Sequence, residues 1–215
     1  MGSNAFVKQL NFESNDLGID FDLLLTFDDQ SIPNIYQDYY PSAFVVRKFG
    51  ADGHYRSSIS FSSQSAFTKV DLSSGVIQYV TGVAMQPGQT TTLTEEGDAY
   101  HFSTPQTNPA VTNIQCINNA PSEEDIGFGS ITVDWNTANT ALVWLGVGQG
   151  QTVNVEEFKP ILRGYICTDF KENTLIKSPI ETDRLFEQNL AALEDNTTWN
   201  ITYDPATGVF SIDQA

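Results

Sequence analysis

The sequence has little cysteine, little histidine and little positive charge, and each shortage excludes a class of function. Cys116 and Cys167 are the only cysteines among 215 residues, too few for a disulfide framework. Both sit in apolar runs, "VTNIQCI" and "ILRGYICTDF", as reduced core residues of a cytoplasmic protein do. A disulfide between them stays open for an exported chain that has lost a leader. His54 and His101 are the only histidines, each beside a tyrosine in a strand-like run, and neither belongs to a zinc signature. They read as strand residues unless they meet in space as ligands or as a pH-sensitive pair. Lys and Arg together number 10 against 27 Asp and Glu, a net charge of −17. Nucleic acid and anionic membrane surfaces both demand basic residues, so neither is an expected partner. The acidity serves solubility, or a surface for a cation or a basic partner.

Long hydrophobic runs are also missing. Nothing approaches the ~18–20 apolar residues of a membrane helix. The start, "MGSNAFVKQLNF", lacks the basic segment and apolar run of a signal peptide, so a cytoplasmic location is expected. The glycines of "LGVGQGQT", Gly146, Gly148 and Gly150, miss the dinucleotide spacing by one residue and no Gly-Lys-Ser/Thr follows them, so they mark a turn. The Gly-x-Ser-x-Gly elbow of serine hydrolases does not occur. No fixed-period repeat and no linker-like stretch divides the chain. Residues 1–215 are therefore read as one domain, long enough to bury roughly 70% of the surface its unfolded form exposes.

What the chain does contain is alternation. In "GIDFDLLLTFDD", Ile19, Phe21, Leu23, Leu25 and Phe27 fall on one face, and Asp20, Asp22, Leu24, Thr26 and Asp28 on the other, the pattern of a half-buried strand. Similar runs follow at 43–49, 54–61, 66–72, 76–80, 98–102, 111–117, 130–135, 141–147 and 161–170, separated by turn-formers such as "GADGH", "QPGQ" and "STPQTNP". At the C-terminus, "TTWNITYDPATGVFSID" reads as a hairpin turning at Pro205–Gly208. "NNAPSEEDIGFGS" (118–130) reads as a long surface loop. In "SPIETDRLFEQNLAALEDN" a cap at Thr182 or Asp183 precedes a stripe of Leu185, Phe186, Leu190 and Leu193, which predicts one short helix. The expected fold is mainly β: an antiparallel, sandwich-like single domain with one short helix near the C-terminus.

The candidate site is the stretch where alternation stops, "TFDDQSIPNIYQDYYP" (26–41). It places Asp28, Asp29 and Asp38 beside Tyr36, Tyr39 and Tyr40. Tyrosines in a loop offer flat stacking surface and hydroxyl donors at low entropic cost. Carboxylates accept hydrogen bonds from hydroxyls. Sugars and planar phenolic ligands both use that inventory, and the same oxygens, with Gln30 and Asn34, could hold a divalent cation. Trp135, Trp144 and Trp199 are secondary candidates. Paired acids at Asp28/Asp29, Glu95/Glu96, Glu123/Glu124/Asp125 and Glu156/Glu157 raise glycoside hydrolysis, but adjacent acids on a strand point to opposite faces.

In size, acidity and the lack of a leader, the chain resembles the small acidic β-proteins of mushroom fruit bodies, many of them lectins or defence proteins. Within that group it is similar to the pink chromoprotein type, which holds an aromatic pigment non-covalently. The resemblance rests on gross features of the whole chain and transfers no site residue. It implies a pigment in an aromatic-lined cavity. The expected function is non-catalytic binding of a small ligand, an aromatic pigment, by Asp28, Asp29, Tyr36, Asp38, Tyr39 and Tyr40. A glycan-binding, lectin-like protein is the alternative, and a carboxylate-dependent hydrolase the second alternative.

Overall fold

A computed structural model of the chain describes residues 5–131, 138–156, 158–167 and 169–215. The first four residues of the supposed leaderless start, Trp135 with most of the 130–135 run, and Glu157 of the Glu156/Glu157 pair lie outside the described residues. The first strands are β1 (Val7–Asn15), β2 (Phe21–Thr26), β3 (Tyr40–Pro41), β4 (Val45–Phe49), β5 (His54–Ser62), β6 (Ser65–Asp71), β7 (Gln78–Ala84), β8 (Gln89–Glu96) and β9 (Ala99–Phe102). There follow β10 (Gln106–Thr107), β11 (Ile114–Asn118), β12 (Glu124–Ile131), β13 (Ala138–Val147), β14 (Thr152–Val155), β15 (Ile161–Ile166), β16 (Arg184–Asn189), β17 (Asn196–Asp204) and β18 (Val209–Gln214).

These strands make two sandwiches. Sheet β18-β17-β1-β5 packs against sheet β16-β15-β2-β4 over a core that includes Leu10, Phe12, Leu23, Leu25, Phe186 and Trp199. Sheet β10-β8-β11-β14, with β9 beside β8, packs against β3-β13-β12-β6-β7 over Phe67, Leu93, Cys116, Ile126, Phe128 and Val153. Most pairings are antiparallel, as the short turns require. Two are parallel, β1 with β17 and β8 with β11. Strands β6 to β14 are consecutive in sequence, so the second sandwich is an insertion between β5 and β15 of the first. Strand β3 crosses the junction, pairing with β13 at Tyr40–Val143 and Pro41–Leu142. Phe158 packs against both cores, 5.3 Å from Phe27 on one side and 5.6 Å from Phe128 on the other.

Three expectations need correction. The 182–193 segment is not a helix: Arg184–Asn189 is strand β16, and only Leu190–Ala192 forms a 3₁₀ turn, which the Asn189 side chain caps by accepting from Ala191 N at 3.0 Å. An isolated helix of that length is marginal. Pairing with β15 instead satisfies the backbone and puts Phe186 edge-on to Trp199 at 4.8 Å. The 118–130 stretch is not a surface loop, because Glu124 opens the buried strand β12. Its acids mislead because Glu124, only 4% exposed, is neutralised by Lys69 at 2.9 Å. Finally, β2 is half-buried only at its start. Leu24, Thr26 and Asp28 are wholly buried, Leu24 in a small cluster with Ala43, Tyr165 and Ile176. Cys116 and Cys167 are free thiols in separate clusters, and burial pushes the Cys116 thiol up to about 12.

Candidate functional site

The loop from 27 to 39 leaves β2 in the first sandwich and delivers the chain to β3 in the second. Its position at the junction follows from that connectivity. The loop folds on itself: Tyr36 N donates to Tyr39 O at 2.8 Å, and Asn34 Nδ2 donates to Asp38 Oδ2 at 2.8 Å. Asn34 and Tyr36 both take left-handed backbone conformations, φ 64° and 67°. Asn accepts this readily; for tyrosine it costs roughly 1–2 kcal/mol and needs surrounding contacts to hold it.

The outer face of β15 meets this loop. Arg163 and Tyr165, two residues apart, share a face and stand opposite Thr26 and Leu24 of β2. Arg163 is 8% exposed, and its guanidinium is held by Glu187 Oε2 at 2.7 Å from Nε and by Asp29 Oδ1 at 3.1 Å from Nη2. Tyr165 Oη donates to Asp28 Oδ2 at 2.9 Å. Among the described residues, three buried polar atoms in this cluster have no hydrogen-bond partner: Asp28 Oδ1, Tyr36 Oη and Arg163 Nη1. Leaving such atoms unmade typically costs ~1–3 kcal/mol each.

The electrostatics follow from burial. Desolvation raises the Asp28 pKa above the usual carboxyl range, although the Tyr165 hydrogen bond and the Arg163 charge pull the other way. Burial, and then the Asp28 charge, raise the Tyr36 hydroxyl; the Arg163 charge and then the nearby Gln30 side chain offset a part of that rise. Burial alone would raise Asp29 as well, but hydrogen bonds from Ser31 and the Arg163 contact hold it below the usual range. Neighbouring carboxylates thus differ: Asp28 keeps its proton more readily, and Asp29 is a committed anion.

Two of the clefts along the loop share residues. One, about 430 Å³, is lined by Asp28, Asp29, Gln30, Arg163, Tyr165 and the 180–184 segment. The other, about 490 Å³, lies at the junction and is lined by Pro33, Asn34, Tyr39, Trp144, Asn154 and Phe158. Asp29 and Ser31 line both. Of the residues expected from sequence, Asp28, Asp29 and Tyr36 come together around Arg163. Tyr39 is turned to the second cleft, where its ring stacks on Trp144 at 4.9 Å and its hydroxyl donates to Pro33 O at 3.1 Å. Asp38 is exposed beside Asn34, and half-buried Tyr40 is a strand residue of β3. Among the described residues no group of three or more His, Cys, Asp or Glu side chains could hold a metal ion. His54 and His101 are exposed on strands of different sheets.

Arg163 and Tyr165 were not among the residues expected from sequence. Arg163 did carry a signal: it is the one charged residue in "ILRGYI", and a charge inside an apolar run is buried only when it is paired. No family model, no curated protein and no solved structure matches the chain.

Proposed function

We propose that the protein is a non-catalytic binder of a polyhydroxylated ligand, a glycan, and that the cleft at Asp28 and Arg163 takes a pair of neighbouring sugar hydroxyls. One observation carries this reading. A buried acceptor, Asp28 Oδ1, and a buried donor, Arg163 Nη1, both stand without partners among the described residues, in side chains lining one cleft. A sugar hydroxyl donates one hydrogen bond and accepts others. Two adjacent hydroxyls can therefore give to Asp28 and receive from Arg163 once the side chains covering these atoms shift aside. The Arg163–Glu187 and Asp29–Arg163 contacts fix the guanidinium, so little ordering cost is left for binding. A cleft rimmed by Asp, Arg, Ser, Thr and Glu and open to water suits such a ligand better than an encased planar pigment.

A glycan screen followed by calorimetry tests the proposal. Saturable binding of at least one glycan is expected, weakened about 10- to 100-fold in Asp28→Ala, the loss of a hydrogen bond to a charged or strongly polarised group. Binding of no glycan, or unchanged affinity in a folded Asp28→Ala protein, would overturn it. Native mass spectrometry of the protein from its natural source, set against its denatured mass, distinguishes a tightly held pigment from a reversible glycan.

A hydrolase is the second reading, favoured by the upward shift of Asp28, the direction a general acid needs. Glu181 and Asp183 line the same cleft as candidate second carboxylates. Turnover of chromogenic glycosides, abolished in Asp28→Asn, would establish it.

A further inference from the structure

We infer that the junction groove is a second sugar subsite, so that the protein takes an oligosaccharide across the Asp29–Ser31 ridge rather than a single residue. The inference rests on the glycan reading above and extends it from a sugar to a chain of sugars. Three observations carry it.

The first is continuity. Asp29 and Ser31 line both clefts, so a ligand leaving the Asp28–Arg163 cleft over this ridge enters the groove. The ridge is rigid, because Asp29 Oδ1 accepts from Ser31 N at 3.0 Å and from Ser31 Oγ at 2.8 Å while also pairing with Arg163 at 3.1 Å. The second is surface chemistry. The groove presents Trp144, half-buried, with Tyr39 stacked on it at an interplanar angle of 30°. Tyr39 is buried beneath Trp144 with its hydroxyl committed to Pro33 O, so the ring surface on offer is that of Trp144. An aromatic face takes the C–H side of a sugar ring, and the exposed Glu156 carboxylate in the same lining offers acceptors for ring hydroxyls. The third is size. At about 430 and 490 Å³, each cleft falls within the ~300–1,000 Å³ of small-ligand sites, so the two together exceed what one sugar residue fills.

The two subsites differ in kind. The Asp28–Arg163 cleft selects hydroxyl geometry through buried polar atoms. The groove adds affinity through stacking and tolerates different sugars.

The test is calorimetry with methyl glycosides and the matching di- and tetrasaccharides of glucose, N-acetylglucosamine, galactose and mannose. For the sugar that binds, the tetrasaccharide is expected to bind about tenfold or more tighter than its methyl glycoside. Trp144→Ala should erase that gain and leave methyl-glycoside affinity unchanged. Should Trp144→Ala fail to fold, Trp144→Leu keeps apolar volume while removing the ring face and should have the same effect. Equal affinity for the methyl glycoside and the tetrasaccharide, with binding still lost in Asp28→Ala, would overturn the second subsite and leave the glycan reading standing. Binding of no sugar of any length would overturn both.

Discussion

Asp28 is where folding and binding make opposite demands on one side chain. It is fully buried, one of its oxygens has no partner, and burial raises its pKa. A carboxyl whose folded pKa lies above its unfolded value contributes most to stability below the unfolded value, near 3.8, and loses that contribution as pH rises through the folded value. Asp28→Asn removes the titration. Its stability relative to the native protein should therefore improve as pH is raised from 4 to 8, while glycan affinity falls. Urea midpoints across that range check the first effect, and a constant difference between the two proteins would contradict it. Glu124 behaves in the opposite sense. Burial would raise it, but Ser122, Lys69 and Tyr100 all contact its carboxylate and hold its pKa below the ordinary 4.5. Its contribution is present above pH 4.5 and is lost as pH falls through the lower folded value. Glu124→Gln leaves Lys69 buried without its counter-charge, and should cost about 3–5 kcal/mol at pH 7. The gap between variant and native protein should then narrow between pH 5 and 3, a trend that denaturant titrations read directly.

At the scale of elements, the site depends on how β15 lies between β2 and β16. A bulge between Gly164 and Tyr165 shifts the register with β16, and a Cβ on Gly164 would come within 2.9 Å of Phe186 Cβ and 3.1 Å of Leu25 Cδ2. Gly164→Ala should cost about 1–3 kcal/mol through overpacking and weaken glycan binding as well, because Arg163 and Tyr165 flank the displaced residue. Gly208→Ala is the control: at φ +72° in the last turn with open space around it, it should lower stability by roughly 1 kcal/mol and leave binding alone. Guanidinium melts and calorimetry separate the two patterns. Strands with alternation, such as β5 and β17, were legible in the sequence because their periodicity matches a sheet with one wet face, and β13 was legible as a continuous apolar run. β8, written Gln-Thr-Thr-Thr-Leu-Thr-Glu-Glu, was not, because threonine carries the β preference without the apolar contrast. β16 was misread because Phe186 and Leu190 fit a helical stripe as well as a strand followed by a turn. Asp28 and Tyr36 were legible as a cluster in one loop. Their partner Arg163 lies 134 residues from Asp29, a separation only the fold closes.

For the whole molecule, the insertion of one sandwich into the other makes the junction a mechanical part as well as a binding place. The chain crosses it between β5 and β6, between β14 and β15, and through β3. Ser42 next to β3 strengthens that crossing, donating from N to Ala141 O at 2.9 Å and from Oγ to Thr140 O at 2.6 Å. These polar ties fix position but bury little apolar surface. Phe158 and Trp144 both pack against the two cores, and Phe158 stands edge-on to Phe27 in the first and to Phe128 in the second. While it is in place, unfolding either core exposes part of the other, and the two should melt as one cooperative unit. Phe158→Ala removes the shared ring and should cost about 3 kcal/mol, at the low end for phenylalanine because the ring is only half-buried. The informative result is the shape of the transition. In the native protein the calorimetric and van't Hoff enthalpies should agree. In Phe158→Ala the van't Hoff value should fall below the calorimetric one, as the inserted sandwich and its host begin to melt apart. If the enthalpies still agree in the variant, coupling runs through Trp144, β3 and Ser42, and the junction groove keeps its shape without the Phe158 ring.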